Sequence, residues 1–242
     1  MTEQYREFPE NWASDGPTQF IDLACNNVVA TFVQDKEEYP LVRNIDGFYY
    51  SIVKHLIDPE GILEAILIMR CHAAFRASFL LGMSGMAPET FVQLRSCLEN
   101  ALYALHINKN PGHDEVWANR HKDDASLKQV KDKFRMVDVM TTLENTDPAN
   151  HKVAKLLYER TIDFGAHPNE RAATSSLIIE ERDGSKKIKQ NYLAGGTLQQ
   201  RHAMKTVAQV GLCALYVFRD IFTKKFDILG VTNEMDKHRN IL

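Results

Sequence analysis

Four proline-marked helix starts constrain the fold of this chain more than any other feature of its sequence. Asp58-Pro59-Glu60, Ala87-Pro88-Glu89, Asn110-Pro111 and Asp147-Pro148 each set proline where a first-turn N–H has no partner. Three of the four put Asp or Asn before it as a cap. Apolar residues at helical spacing predict helices at about 17–34, 40–57, 59–84, 88–107, 111–122, 124–144 and 148–165. Another long helix is predicted over 197–226, where Met204, Val207, Ala208, Leu212, Leu215, Phe218, Ile221 and Phe222 keep one face apolar. With 12 Gly and 8 Pro in 242 residues the chain is poor in turn formers, which argues against a β-sandwich or a Gly-looped nucleotide fold.

The pattern changes once, before the last long helix. Leu177-Ile178-Ile179 precedes Asp183-Gly184, and Ile188, Tyr192 and Leu193 follow, which predicts a β-hairpin over about 175–193 closed by an Asp-Gly turn. An isolated hairpin is marginal in water, so this one is expected to pack its apolar face on the helices or to pair with another chain. The fold class expected is therefore mainly α, a multi-helix bundle with a small β-hairpin inserted before the last long helix. Residues 1–58 read as an acidic helical segment packed on the core, 59–230 as the bundle core and 231–242 as a C-terminal tail.

Charge and cysteine narrow the function classes. Net charge is −3, but residues 1–60 hold 11 acidic and 4 basic side chains, a net of −7 that leaves +4 for the remaining 182. No overall basic field drives nonspecific nucleic-acid binding, although a local basic face in the later part is allowed. Cys25, Cys71, Cys97 and Cys213 fall in no metal or redox spacing and sit among apolar neighbours, as buried reduced thiols do. The acidic N-terminus lacks the basic region and apolar core of a secretion signal. The longest apolar stretch, Ile62 to Met86, is interrupted by Glu64, Arg70, His72 and Arg76, so it reads as a central core helix rather than a membrane span. A cytoplasmic location without membrane, metal or cofactor is expected.

Three groups of side chains suggest chemistry. Arg160 and His167, seven apart, would lie about 20° from alignment and about 10 Å apart on an ideal helix, with Asp163 on the same face. That stripe would suit binding a phosphate and moving a proton; alternatively His167, next to Gly165 and Pro168, caps the last carbonyls of its helix. Arg95 and Glu99, spaced i, i+4 on an apolar helix, form a pair that needs further partners. Arg70, His72 and Arg76 on the preceding helix are candidates, as are Asp163 and His167. They read either as a structural polar network or as a ligand site. His113, Trp117, Arg120 and His121 form a third group in which the indole cannot ligate a metal. Lys186, Lys187 and Lys189 by the hairpin turn suit either phosphate contact or protection of an edge strand.

Two stretches carry a resemblance. Arg95-Ser96-Cys97-Leu98-Glu99-Asn100-Ala101-Leu102, followed by Tyr158-Glu159-Arg160-Thr161-Ile162-Asp163-Phe164-Gly165-Ala166-His167-Pro168, resembles uncharacterised bacterial helical proteins related to the HEPN superfamily, over about residues 60–225. The resemblance implies a helical bundle, a homodimer, and RNA or a nucleotide as candidate ligand. Active ribonucleases of that superfamily carry an Arg, four to six residues, then a His, and cut RNA without metal. Arg160 and His167 fit the upper limit of that spacing, whereas Thr161 and Gly165 depart from the active pattern. A noncatalytic ligand- or partner-binding role around Arg95, Glu99, Arg70, Arg76, Arg160, Asp163 and His167 comes first, with metal-independent RNA cleavage by Arg160 and His167 as the alternative.

Overall fold

The computed structural model describes residues 8–242 other than Glu60, Asn169, Ser175 and Asp183. Most of the acidic N-terminus, Glu60 of the first proline motif and the aspartate of the expected Asp-Gly turn thus lie outside the described residues. The elements run α1 (Gly16–Gln34), α2 (Glu38–Lys54), α3 (Ile62–Ser84), α4 (Ala87–Lys109), α5 (His113–Ala118), α6 (Asp124–Lys133), α7 (Met136–Thr146) and α8 (Pro148–Thr161). A π-helical turn (Ile162–Ala166) and α9 (Glu170–Thr174) follow, then β1 (Leu177–Arg182), β2 (Ser185–Gln190), α10 (Leu198–Arg219), α11 (Thr223–Ile228) and α12 (Val231–Asp236). The fold is mainly α, a helical bundle with one antiparallel hairpin before α10.

Side-chain caps or first-turn prolines mark several helix starts. The Asp15, Asp123 and Asp147 side chains accept from backbone N–H groups of α1, α6 and α8, and Pro17, Pro88 and Pro148 occupy first turns. The other two proline motifs act one step earlier. After Pro59 and Pro111, Gly61 and Gly112 take the cap positions, so α3 starts at Ile62 and α5 at His113. The helix expected over 124–144 is broken at Phe134-Arg135, where Arg135 turns extended and Phe134 is buried against Tyr103, His106 and His113. The one expected over 197–226 stops at Arg219, and α11 begins at Thr223.

Helix α10 occupies the middle. Its residues from Ala203 to Phe218 are buried almost without interruption, apart from Lys205, and it packs on α2, α3, α4 and α8. Small residues allow this crowding: a Cβ on Gly211 would stand 2.4 Å from the Phe75 ring. Helix α3, expected to be the central one, packs on α4, α10 and α1 yet leaves Ile62, Ile66, Met69 and Leu80 exposed. By length and composition α3 would suffice to cross a membrane, but half of it is buried in the bundle. The segment 231–242 carries α12 and a short 3-10 turn, with Val231 and Met235 buried and the Ile241 carbonyl accepting from Gln209 at 2.6 Å.

The hairpin stands off from the bundle. Ile179 pairs with Ile188 and Glu180 with Lys187, and Gly184 takes φ +75° in the turn. The expected burial of its apolar face on the helices is not observed, since Ile178, Ile179 and Ile188 are all exposed. Lys186 and Lys189 pair with Glu181 and Glu180. Tyr192, just past β2, meets Phe20 of α1 edge-on at 6.4 Å.

Candidate functional site at the turn after α8

The residues singled out in the sequence fall into three separate places. On one flank of α8, Tyr158 reaches α4: Arg95 donates to Glu99 at 2.8 Å and to the Tyr158 hydroxyl at 2.8 Å, and that hydroxyl donates to Glu99 at 3.2 Å. Burial, then the Glu99 charge, push the Tyr158 phenol up to about 12. The third partner of the Arg95–Glu99 pair is thus Tyr158 rather than any of the candidates on α3. Arg76 instead donates twice to Asp46 of α2, at 2.7 and 2.9 Å, and His72 Nε2 donates to the same carboxylate at 2.6 Å. Arg70 is exposed on the outer side of α3.

On the other flank of α8, Arg160 turns inward to α10, donating to Gln209 Oε1 at 2.6 Å and Thr206 Oγ1 at 3.3 Å. Burial lowers its pKa, and both partners are neutral. With Lys152, Lys155, Leu156, Glu159, Asp163 and Phe164 it borders a cleft of about 480 Å³. Asp163 is exposed and accepts from Arg171 at 3.4 Å. His167 lies beyond the π-helical turn with extended backbone and an exposed side chain. The straight-helix register that would align it with Arg160 therefore does not run through to it.

Gly165 accounts for that turn. Its backbone packs against Pro88 at the start of α4 so closely that a Cβ would stand 2.0 Å from the Pro88 carbonyl oxygen. The widened turn also brings Phe164 onto Phe91, with ring centroids 5.3 Å apart, and onto His202 of α10 at 5.0 Å. Phe91 and His202 complete the cluster at 5.8 Å.

These rings wall a pocket of about 540 Å³ whose surface is mostly apolar, shared by Ala87, Pro88, Phe91, Phe164, Leu198 and His202, with Arg171, Thr174 and Gln199 at its edge. The volume lies in the range of small-molecule sites. His202 Nε2 is buried without a hydrogen-bond partner, and burial followed by the charges of Arg160 and Lys205 lowers the imidazole pKa, which keeps it neutral at pH 7. Phe164 falls within the stretch Tyr158–Pro168, yet neither it nor Phe91 nor His202 carries a local signal of the pocket, which exists only once α4, the turn and α10 meet.

Of the third group, His113 and Trp117 pack on the bundle, whereas Arg120 and His121 are exposed. His113 sits 4.8 Å from His106, and α5 ends at Ala118, so His113, Trp117 and His121 share no continuous helix face. Among the described residues no cluster of three or more His, Cys, Asp or Glu side chains is placed to hold a metal ion. Cys71, Cys97 and Cys213 are buried, whereas Cys25 is exposed on α1. No protein-family model matches the chain, and no curated protein or solved structure shows significant similarity to it.

Proposed function

We propose that this protein is a noncatalytic ligand-binding helical bundle whose site is the pocket between α4, the π-helical turn, α9 and the start of α10. The observation that carries the proposal is the pocket itself, about 540 Å³ walled by Pro88, Phe91, Phe164, Leu198 and His202. An open pocket of that size leaves mostly apolar side chains facing water, and a ligand that covers them removes that surface from water. Metal-independent RNA cleavage is the competing reading. It needs Arg160 and His167 within about 3 Å of one phosphate, whereas Arg160 is engaged on α10 and His167 lies past the turn.

The test uses 1-anilinonaphthalene-8-sulfonate, a probe that fluoresces in apolar pockets. Leu198 is 79% exposed at the rim and opens α10, so Leu198→Glu is tolerated by the fold, removes apolar lining and sets a carboxylate against the anionic probe. It is expected to cut probe fluorescence several-fold, while the same change at exposed Val137 of α7 leaves it unaltered. Equal effects at both positions would overturn the proposal. Single-stranded RNA incubated with the protein in EDTA is expected to stay intact, and cleavage that disappears in His167→Ala would establish the ribonuclease reading instead.

A further inference from the structure

The charge around this pocket specifies a ligand class. Its walls are aliphatic and aromatic, and Arg171 is the one charged side chain lining it among the described residues. Among the described residues, Arg171 has few partners. Its guanidinium lies 5.9 Å from the centroid of Phe164, and of its five N–H donors one meets a single Asp163 oxygen at 3.4 Å, in an exposed pair. A long, solvent-open pair of that kind contributes little on its own, so most of the fork is available to a second acceptor. Behind the pocket, Arg160 has only neutral partners, and both Arg160 and Lys205 act on His202. The interior is thus apolar, with the Arg171 cation at its edge.

Resting on the reading of the pocket as a binding site, we propose that its ligand is an amphipathic monocarboxylate, with an apolar body between Phe91, Phe164 and Leu198 and its carboxylate on Arg171. A neutral apolar molecule would fill the walls and leave the guanidinium fork unused. A dicarboxylate would drive a second charge into a lining that offers it no counter-ion. An alkyl chain and an aromatic ring both match the walls, since the Phe91–Phe164 stack accepts either, so the carboxylate is the shared chemistry.

Titration calorimetry on the full chain separates the two sources and the two levels of the proposal. The probes are decanoate against decan-1-ol and 2-naphthoate against 2-naphthol. At least one carboxylate is expected to bind at one site about tenfold or more tighter than its neutral counterpart, and Arg171→Gln is expected to bring the pair within about threefold. Arg171 is two-thirds exposed, so that variant should keep the wild-type circular dichroism. Should the alcohols bind as tightly as the acids, with Leu198→Glu weakening both, the pocket stands and the carboxylate assignment falls. Discrimination that survives Arg171→Gln overturns the role of Arg171. Failure of all four probes to bind removes the pocket reading together with the inference built on it.

Discussion

Adding one methyl group at Gly165 should separate the packing that builds the pocket from generic helix stability. In Gly165→Ala the new Cβ would lie 2.0 Å from the Pro88 carbonyl oxygen and 2.8 Å from its carbon. Both partners are backbone, one in the turn after α8 and one in the first turn of α4, so no side chain can rotate away. Overpacking of this kind costs about 1 to 3 kcal/mol, and the rigid neighbour places this case near 3. For a chain of this length 1 kcal/mol moves the melting temperature by about 2 to 4 °C, which gives a fall of about 6 to 12 °C. Gly47→Ala is the matched control. Gly47 is exposed inside α2 with nothing within 4 Å of its new Cβ, so the same methyl should stabilise by about 0.5 to 1 kcal/mol through helix propensity. Melting followed by circular dichroism at 222 nm should thus show shifts of opposite sign. Gly165→Ala should also weaken probe fluorescence, because displacing the turn carries Phe164 away from Phe91. A Gly165→Ala protein that melts within about 1 °C of wild type would refute the close approach on which the pocket rests.

Three further outcomes are expected. Tyr158→Phe removes the hydroxyl shared by Arg95 and Glu99 and should cost about 1 to 2 kcal/mol; in the wild type the phenol, raised to about 12, should ionise at 295 nm well above the ordinary range near 10. Tyr49→Phe removes a fully buried hydroxyl that gives the Gly211 carbonyl a second donor at 3.0 Å and should cost about 0.5 to 1.5 kcal/mol, read as a lower urea midpoint at unchanged slope. Burial lowers the pKa of His72, His106, His113 and His202 below the ordinary 6.5, so on acidification the unfolded chain takes up protons first. Stability is then complete above about pH 6.5 and lost as pH falls below it; a melting temperature that stays flat from pH 7.5 to 5 would contradict these burials.

What could be read from the sequence divides by range of interaction. The helices of the bundle were legible because apolar spacing and Asp caps act within a few residues, as at Asp147 and Pro148. Arg95–Glu99 was legible for the same reason, being one turn apart, but Tyr158 and the Asp46 partner of Arg76 come from other helices and leave no local mark. Hairpin placement was legible and its exposure was not, since alternation fixes a strand's faces without saying what covers them. The end of α8 is the instructive case. Gly165 and Pro168 announced that the helix stops, and nothing nearby could say that the stop exists to let Pro88 approach. Glycine within a helix costs about 1 kcal/mol against alanine, so each such position marks a candidate crossing. Gly82, Gly165 and Gly211 are crossings, against Met204, Pro88 and Phe75, whereas Gly47 faces open space. The sequence thus proposes where backbones and side chains converge, but only the packed structure says with what. Arg160 and His167 therefore mattered less as a spaced pair than as the residues on either side of the turn that forms the pocket.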